Sequence, residues 1–126
     1  MKMIDKVMNE LQKQGFLPQR EDFGIAFKYQ MAGYLFLADK TDDDYFSLYI
    51  PYFFEVDEEN KADVLEAMNA INNDVKVVKL VINDGYVWAC FEEKLPENAN
   101  IEDILLYSIV TLYVSRQQFY EKLKEV

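Results

Sequence analysis

Tyr45-Phe46-Ser47-Leu48-Tyr49-Ile50-Pro51-Tyr52-Phe53-Phe54-Glu55 is the stretch whose reading decides how this chain folds. It is apolar and aromatic almost throughout, and it reads as one long strand. Side chains alternate across a strand, so one face carries Tyr45, Ser47, Tyr49, Pro51 and Phe53, and the other carries Phe46, Leu48, Ile50, Tyr52 and Phe54. Both faces are apolar. An antiparallel sheet with one wet face alternates apolar and polar residues, so this strand predicts that both of its faces are covered or contacted. Pro51 has no N–H to give to a ladder and marks an edge or a bulge.

Outward from this strand the pattern is regular. Upstream, Phe23 to Gln30 alternates apolar and polar residues as a half-buried strand, Ala32-Gly33 supplies a turn, and Tyr34 to Asp39 returns. Before them, Met3, Ile4, Val7, Met8 and Leu11 repeat at three and four residues and form the apolar stripe of a helix. Gly15 is placed to end that helix in a left-handed cap, and Pro18 bars its continuation.

Downstream, Asp57 is expected to cap a second helix, with Glu58 and Glu59 at the positive end of its dipole. Val64, Leu65, Met68 and Ile71 are its apolar stripe, and Asn72-Asn73-Asp74 is its end. Val75 to Ile82 and Tyr86 to Glu93 are two strands joined through Asn83-Asp84-Gly85, because Asp-Gly between apolar runs favours a two-residue hairpin. The last of these strands again sets Tyr86, Trp88 and Cys90 against Val87, Ala89 and Phe91. Asn100 caps a long final helix running to about Lys124, with Asp103 in its first turn. The expected architecture is a single α+β domain over residues 1–126. It has an antiparallel five-stranded sheet and three helices in the order α-β-β-β-α-β-β-α.

Composition narrows the function classes. The 126 residues are 51% hydrophobic and 15% aromatic, with nine Tyr and nine Phe, a globular composition with an aromatic surplus to place. Thirteen basic against 23 acidic residues leave a formal charge of −10, and the basic residues nowhere form a run. That balance disfavours nucleic acid, whose phosphates recruit clustered Lys and Arg, and it disfavours an anionic membrane surface. The single Cys90 excludes an internal disulfide and suits a reducing compartment, and Met1 to Gln14 has no unbroken apolar run like that of a signal peptide. The cytoplasm is the expected address.

The chain has no His, which removes imidazole acid–base chemistry, Ser-His and Cys-His pairs and His metal sites together. One Cys cannot build a thiolate zinc site, and Cys90 reads as a buried, inert thiol. Gly15, Gly24, Gly33 and Gly85 are the only glycines, and their spacing writes neither a P-loop nor a dinucleotide fingerprint. Asp39, Thr41 and Asp43 imitate the start of a calcium loop, but the sixth position is Asp44 and the twelfth is Ile50, where Gly and Glu are needed. Glu92-Glu93 point to opposite faces of a strand and form no acid–base couple. No catalytic residue, cofactor or metal is expected.

The aromatic surplus points instead to a protein-binding face on Tyr45, Tyr49, Phe53, Tyr86 and Trp88, since Tyr, Trp and Phe are the residue types enriched at interfaces. The partner would be a second copy of the chain, a client protein, or both. The competing reading is a small-ligand cleft or weak enzyme in which tyrosines and carboxylates line a space between the sheet and the last helix. Arg116 is the residue to inspect there; its plainer reading is an exposed helical residue paired with a nearby acid.

The order helix, three strands, helix, two strands, helix resembles the type III secretion chaperone-like fold, and more specifically the bacterial YbjN-like family. The residues that carry the resemblance are Ala70-Ile71-Asn72-Asn73 at the end of the middle helix, Val75 to Ile82, the Asp84-Gly85 turn, Tyr86 to Phe91, and the long helix from Asn100. The resemblance implies a compact sheet with helices packed against it, frequent dimerisation and no enzymatic activity. In secretion chaperones apolar patches hold extended segments of an effector; YbjN-like proteins are linked to sensory regulation. Neither implies a catalytic residue here.

Overall fold

A computed structural model describes all 126 residues. The elements are α1 (Met3–Lys13), β1 (Gln19–Glu21), β2 (Gly24–Tyr29), β3 (Ala32–Leu37), β4 (Tyr45–Glu55), α2 (Lys61–Asp74), β5 (Val78–Asn83), β6 (Tyr86–Lys94) and α3 (Ile101–Glu125). The strands form one antiparallel sheet in the order β1-β2-β3-β4-β6-β5. The sheet therefore has six strands, not the expected five. The extra strand is three exposed polar residues beyond Pro18, too short and too polar to show an alternation in sequence.

All three helices lie on one side of the sheet. The strands send Ile25, Phe27, Tyr34, Phe36, Phe46, Leu48, Ile50, Leu80, Val87, Ala89 and Phe91 to that side, where they meet Val7 and Leu11 of α1, Val64, Ala67 and Ile71 of α2, and Leu105, Ile109, Leu112 and Phe119 of α3. At about 1.5 Å per residue α3 is long enough to cross the whole sheet. Two buried serines on it satisfy their hydroxyls within the helix: Ser108 donates to the Leu105 carbonyl at 2.8 Å and Ser115 to the Thr111 carbonyl at 2.7 Å. Their small size lets the helix lie close. No helix is long and apolar enough to cross a membrane.

Local chemistry explains most boundaries. Gly15 takes φ +90°, and the Phe16 N–H reaches back to the Leu11 carbonyl at 3.0 Å, the closing bond of a left-handed helix end. The Asn100 side chain accepts from the Asp103 N–H at 3.1 Å, as its position predicts. Asp84 and Gly85, at φ +54° and +80°, are the two central residues of the β5–β6 hairpin. Gly24 is obligatory: at φ +151° a Cβ there would stand 1.9 Å from the Phe36 carbonyl oxygen.

Three expectations need correction. The β2–β3 turn is Gln30-Met31 at φ +50° and +65°, not Ala32-Gly33; Tyr29 pairs with Ala32, and the buried ladder of Phe27 opposite Tyr34 fixes that register. Asp57 caps the turn that leads into α2, and the regular helix begins only at Lys61. Asp57 and Asn60 form a reciprocal turn, each accepting the other's N–H. β5 begins at Val78 rather than Val75, since Val77 at φ +71° breaks the extended run. Of the two places open to Pro51, an edge or a bulge, it takes the bulge, with β4 lying between β3 and β6.

Candidate interaction surface

The side of the sheet away from the helices carries no covering element. In register across the strands run Ala26, Leu35, Tyr49, Cys90 and Lys79, with Trp88 and Val81 in the next row. The two-faced apolar pattern of β4 and β6 thus splits between a core side and an open side.

The bulge in β4 sets the detail. Ile50 pairs with Ala89 and Phe54 with Val87, so Pro51, Tyr52 and Phe53 together face Trp88. Within this bulge Tyr52 adopts φ +49°, a conformation that a bulky residue keeps only under constraint. The result exchanges two side chains relative to simple alternation. Tyr52 turns to the open side, half exposed, with its ring 4.6 Å from Trp88 and 5.6 Å from Tyr86. Phe53 turns to the helices and packs edge-on against Phe119 at 5.6 Å and Tyr120 at 5.9 Å, while its carbonyl accepts from the Tyr120 hydroxyl at 3.1 Å.

Of the five residues expected on the surface, the structure gathers three. Tyr49 lies edge-to-face on Trp88 at 5.9 Å, and Tyr86 flanks the group through Tyr52. Tyr45 shares the open side but stands four residues up the strand, beside Lys94. Phe53 is removed to the core side by the bulge, and Tyr52 takes its place. Pro51 announces a bulge, but nothing in the sequence says which neighbour it turns outward.

Polar groups fasten this patch. The Tyr49 hydroxyl donates to Glu92 at 2.8 Å, and Lys79 meets the other Glu92 oxygen at 2.9 Å. Burial raises the Tyr49 phenol well above its usual value, and the Glu92 carboxylate raises it further. Burial alone would also raise Glu92, but the hydrogen bonds from Lys79 and Tyr49 outweigh it and leave the carboxyl below its usual range. The Tyr86 hydroxyl donates to Glu55 at 3.1 Å. Trp88 is only 8% exposed, and its Nε1 is buried with no hydrogen-bond partner. Cys90 beside it is 4% exposed, and burial pushes its thiol up to about 12.

One strand over, the same side is hollow. A depression of about 580 Å³ opens over the small residues Ala26 and Gly33, beside Leu35, Phe16, Leu17 and Pro51. Gly33 has open space where a Cβ would stand. Lys28 at the rim is its one charged lining residue.

The two edges of the sheet are short or partly occupied. β1 offers only Gln19, Arg20 and Glu21. At the other end Asn72 of α2 reaches over β5, accepting from the Leu80 N–H at 2.7 Å and donating to the Leu80 carbonyl at 3.1 Å. One side-chain amide occupies both edge groups of that residue as a neighbouring strand would.

The hollow over Ala26 and Gly33 is apolar and has neither an α3 residue nor a carboxylate in its lining, so it is not the expected tyrosine- and carboxylate-lined cleft. Arg116 is not paired with an acid either. Its guanidinium lies 5.5 Å from the Tyr113 ring and 5.8 Å from the Tyr120 ring, and its Nε is buried without a partner. In the Asp42-Asp43-Asp44 turn, the Asp43 carboxylate accepts the Met3 N–H at 3.1 Å and so fixes the start of α1.

No family model and no curated protein matches this chain. Among solved structures it is similar to a crystal structure of an uncharacterized protein from Methanothermobacter thermautotrophicus, with a TM-score of 0.67 at 12% identity, covering 98% of this chain and 97% of that one. At that identity the likeness is one of fold. What is established is an α+β chain of three helices on one side of a six-stranded antiparallel sheet, with an aromatic patch on the other.

Proposed function

We propose that this chain is a non-catalytic protein-binding module that self-associates through the open side of its sheet. The observation that carries the reading is the Tyr49, Tyr52, Tyr86 and Trp88 group on a sheet side that no element covers. Aromatic residues with polar tips, held rigidly by their neighbours, are the side chains that interfaces concentrate.

Charge supports a second copy as the partner. On the open side, Lys28, Lys79 and Lys94 stand against Glu21, Glu55 and Glu92, so the formal excess of ten negative charges belongs to the helical layer and the loops. Two copies meeting sheet to sheet turn their like charges outward, which limits repulsion across the contact. A role as chaperone-like or regulatory adaptor in the cytoplasm, in keeping with the resemblance of element order to the YbjN-like and secretion chaperone-like families, would use the same surface for a client.

Sedimentation velocity across 1–100 µM tests this reading. The expected result is a species of twice the 14.9 kDa chain mass that Tyr52→Asp converts to monomer while far-UV circular dichroism is unchanged. A wild-type protein that sediments as a monomer throughout refutes self-association.

A further inference from the structure

The aromatic group and the Gly33 hollow lie side by side on the open face, and their placement is that of a knob and a hole. The hollow is floored by β2 and β3, and the knob stands over β4 and β6, with Pro51 forming the wall between them. Strands lie about 4.8 Å apart, so the centres of knob and hole are separated by roughly 10 Å across the sheet. Resting on the reading that the open side self-associates, we infer that Tyr52 of each copy seats in the Gly33 hollow of the other, about a two-fold axis lying in the interface, parallel to the strands and between β3 and β4.

The symmetry follows from the positions. Rotation about an axis parallel to the strands, placed between knob and hole, brings each knob opposite the partner's hole and keeps the strands of the two sheets aligned. Aligned sheets about 10 Å apart are a common solution for packing two apolar sheet faces. The contact is isologous, so one interface makes the knob–hole contact twice. The face is also of the right order of size. Six strands at about 4.8 Å span nearly 29 Å, and six residues at about 3.3 Å per residue span about 20 Å. That footprint approaches the ~800 Å² per partner of a stable interface once side-chain relief is counted.

Three features fit this occupant. Tyr52 is half exposed, although its neighbours Tyr49 and Trp88 are substantially buried, so it protrudes from the patch. Gly33 is a strand residue without positive φ and with open space at its Cβ, so the chain there has no conformational need for glycine. The missing side chain is what makes the hollow. Leu17, 88% exposed at the rim, gains cover when the hollow is filled.

The test uses two single variants and their mixture. Gly33→Leu fills the hole and Tyr52→Ala removes the knob; each is expected to weaken the homodimer at least tenfold by sedimentation, with unchanged circular dichroism. In a mixed dimer one contact retains Tyr52 against Gly33, and the other sets Ala against the filled hole without a clash. Native mass spectrometry of the mixture should therefore show the heterodimer in at least tenfold excess over the Gly33→Leu homodimer. Val110→Asp, on the exposed outer face of α3, is expected to leave the dimer intact. A wild-type dimer that Gly33→Leu does not weaken, a mixture without preferential pairing, or a dimer lost to Val110→Asp each overturns the seating while leaving self-association standing. A wild-type monomer overturns both.

Discussion

Asn72→Ala should open the β5 edge, and the structure sets the size of the effect. The variant removes two hydrogen bonds, from Leu80 N–H to Asn72 Oδ1 at 2.7 Å and from Asn72 Nδ2 to the Leu80 carbonyl at 3.1 Å. Both are partly buried, and a net ~1 kcal/mol for each is the usual yield of such bonds. Water can reach an edge strand and recover part of this, so the expected loss is about 1–2 kcal/mol. At roughly 4 °C per kcal/mol for a chain of this size, Tm should fall by about 4–8 °C. Hydrogen exchange gives the local readout: the Leu80 amide should lose protection by about tenfold or more, while the Lys79 and Val81 amides, directed at β6, keep theirs. Because a freed edge presents a template for another strand, the variant should also associate in a manner that Tyr52→Asp does not reverse. Leu80 protection unchanged with Tm within about 1 °C of wild type would refute the reasoning.

Four further outcomes follow from single features. Gly24→Ala places a Cβ 1.9 Å from the Phe36 carbonyl and should cost at least about 3 kcal/mol, read as a collapse of the denaturation midpoint. Replacing Gln30-Met31 by Asn-Gly relieves two residues at φ +50° and +65° and should stabilise by about 1–2 kcal/mol in urea. Cys90, its thiol raised chiefly by burial to about 12, is neutral in the folded chain while the unfolded chain ionises near 9. Its contribution to stability is present below pH 9 and is lost as pH rises toward 12; at pH 8 iodoacetamide should label it only at the rate of unfolding. Glu92 has a lowered pKa, so its contribution is present above the ordinary carboxylate value and is lost as pH falls through the folded value. Its protonation should change the fluorescence of Trp88, which Tyr49 connects to it, and Glu92→Gln should remove that change.

Helices and hairpins were legible where one residue decides the backbone: Gly15 at the end of α1, Asp84-Gly85 in the β5–β6 turn, and Asn100 at the start of α3. They failed where tertiary packing overrides local preference. Gln30 and Met31 are poor residues for a tight turn, yet the buried pairing of Phe27 with Tyr34 leaves them in it. β1 could not be read because three exposed residues have no alternation. The candidate surface was legible as a class of residues and not as a set. Period two placed Tyr49 and Trp88 correctly and Tyr52 and Phe53 on each other's sides, since alternation holds only while the ladder is regular. The hollow at Gly33 left no signal, because a glycine in a strand reads as a turn.

The sheet's boundaries decide which kind of contact it can make. A protein that binds by strand addition needs a free edge, and here one end is three polar residues while the other has Asn72 seated on Leu80. The free apolar area lies on the face, and the bulge at Pro51 to Phe53 adds to it by turning Tyr52 outward at the cost of a strained backbone. Fold stability alone would be served by the opposite arrangement, with regular alternation in β4 and Tyr52 packed inward. Strain that places an aromatic ring in water is retained where the ring has something to meet. The same bulge aims Phe53 at Phe119 and Tyr120, so α3 holds in place the strand segment that presents Tyr52. Loosening that clasp with Phe119→Ala should therefore disturb Trp88 fluorescence on the far side of the sheet, and an unchanged spectrum would separate the knob from the helix behind it.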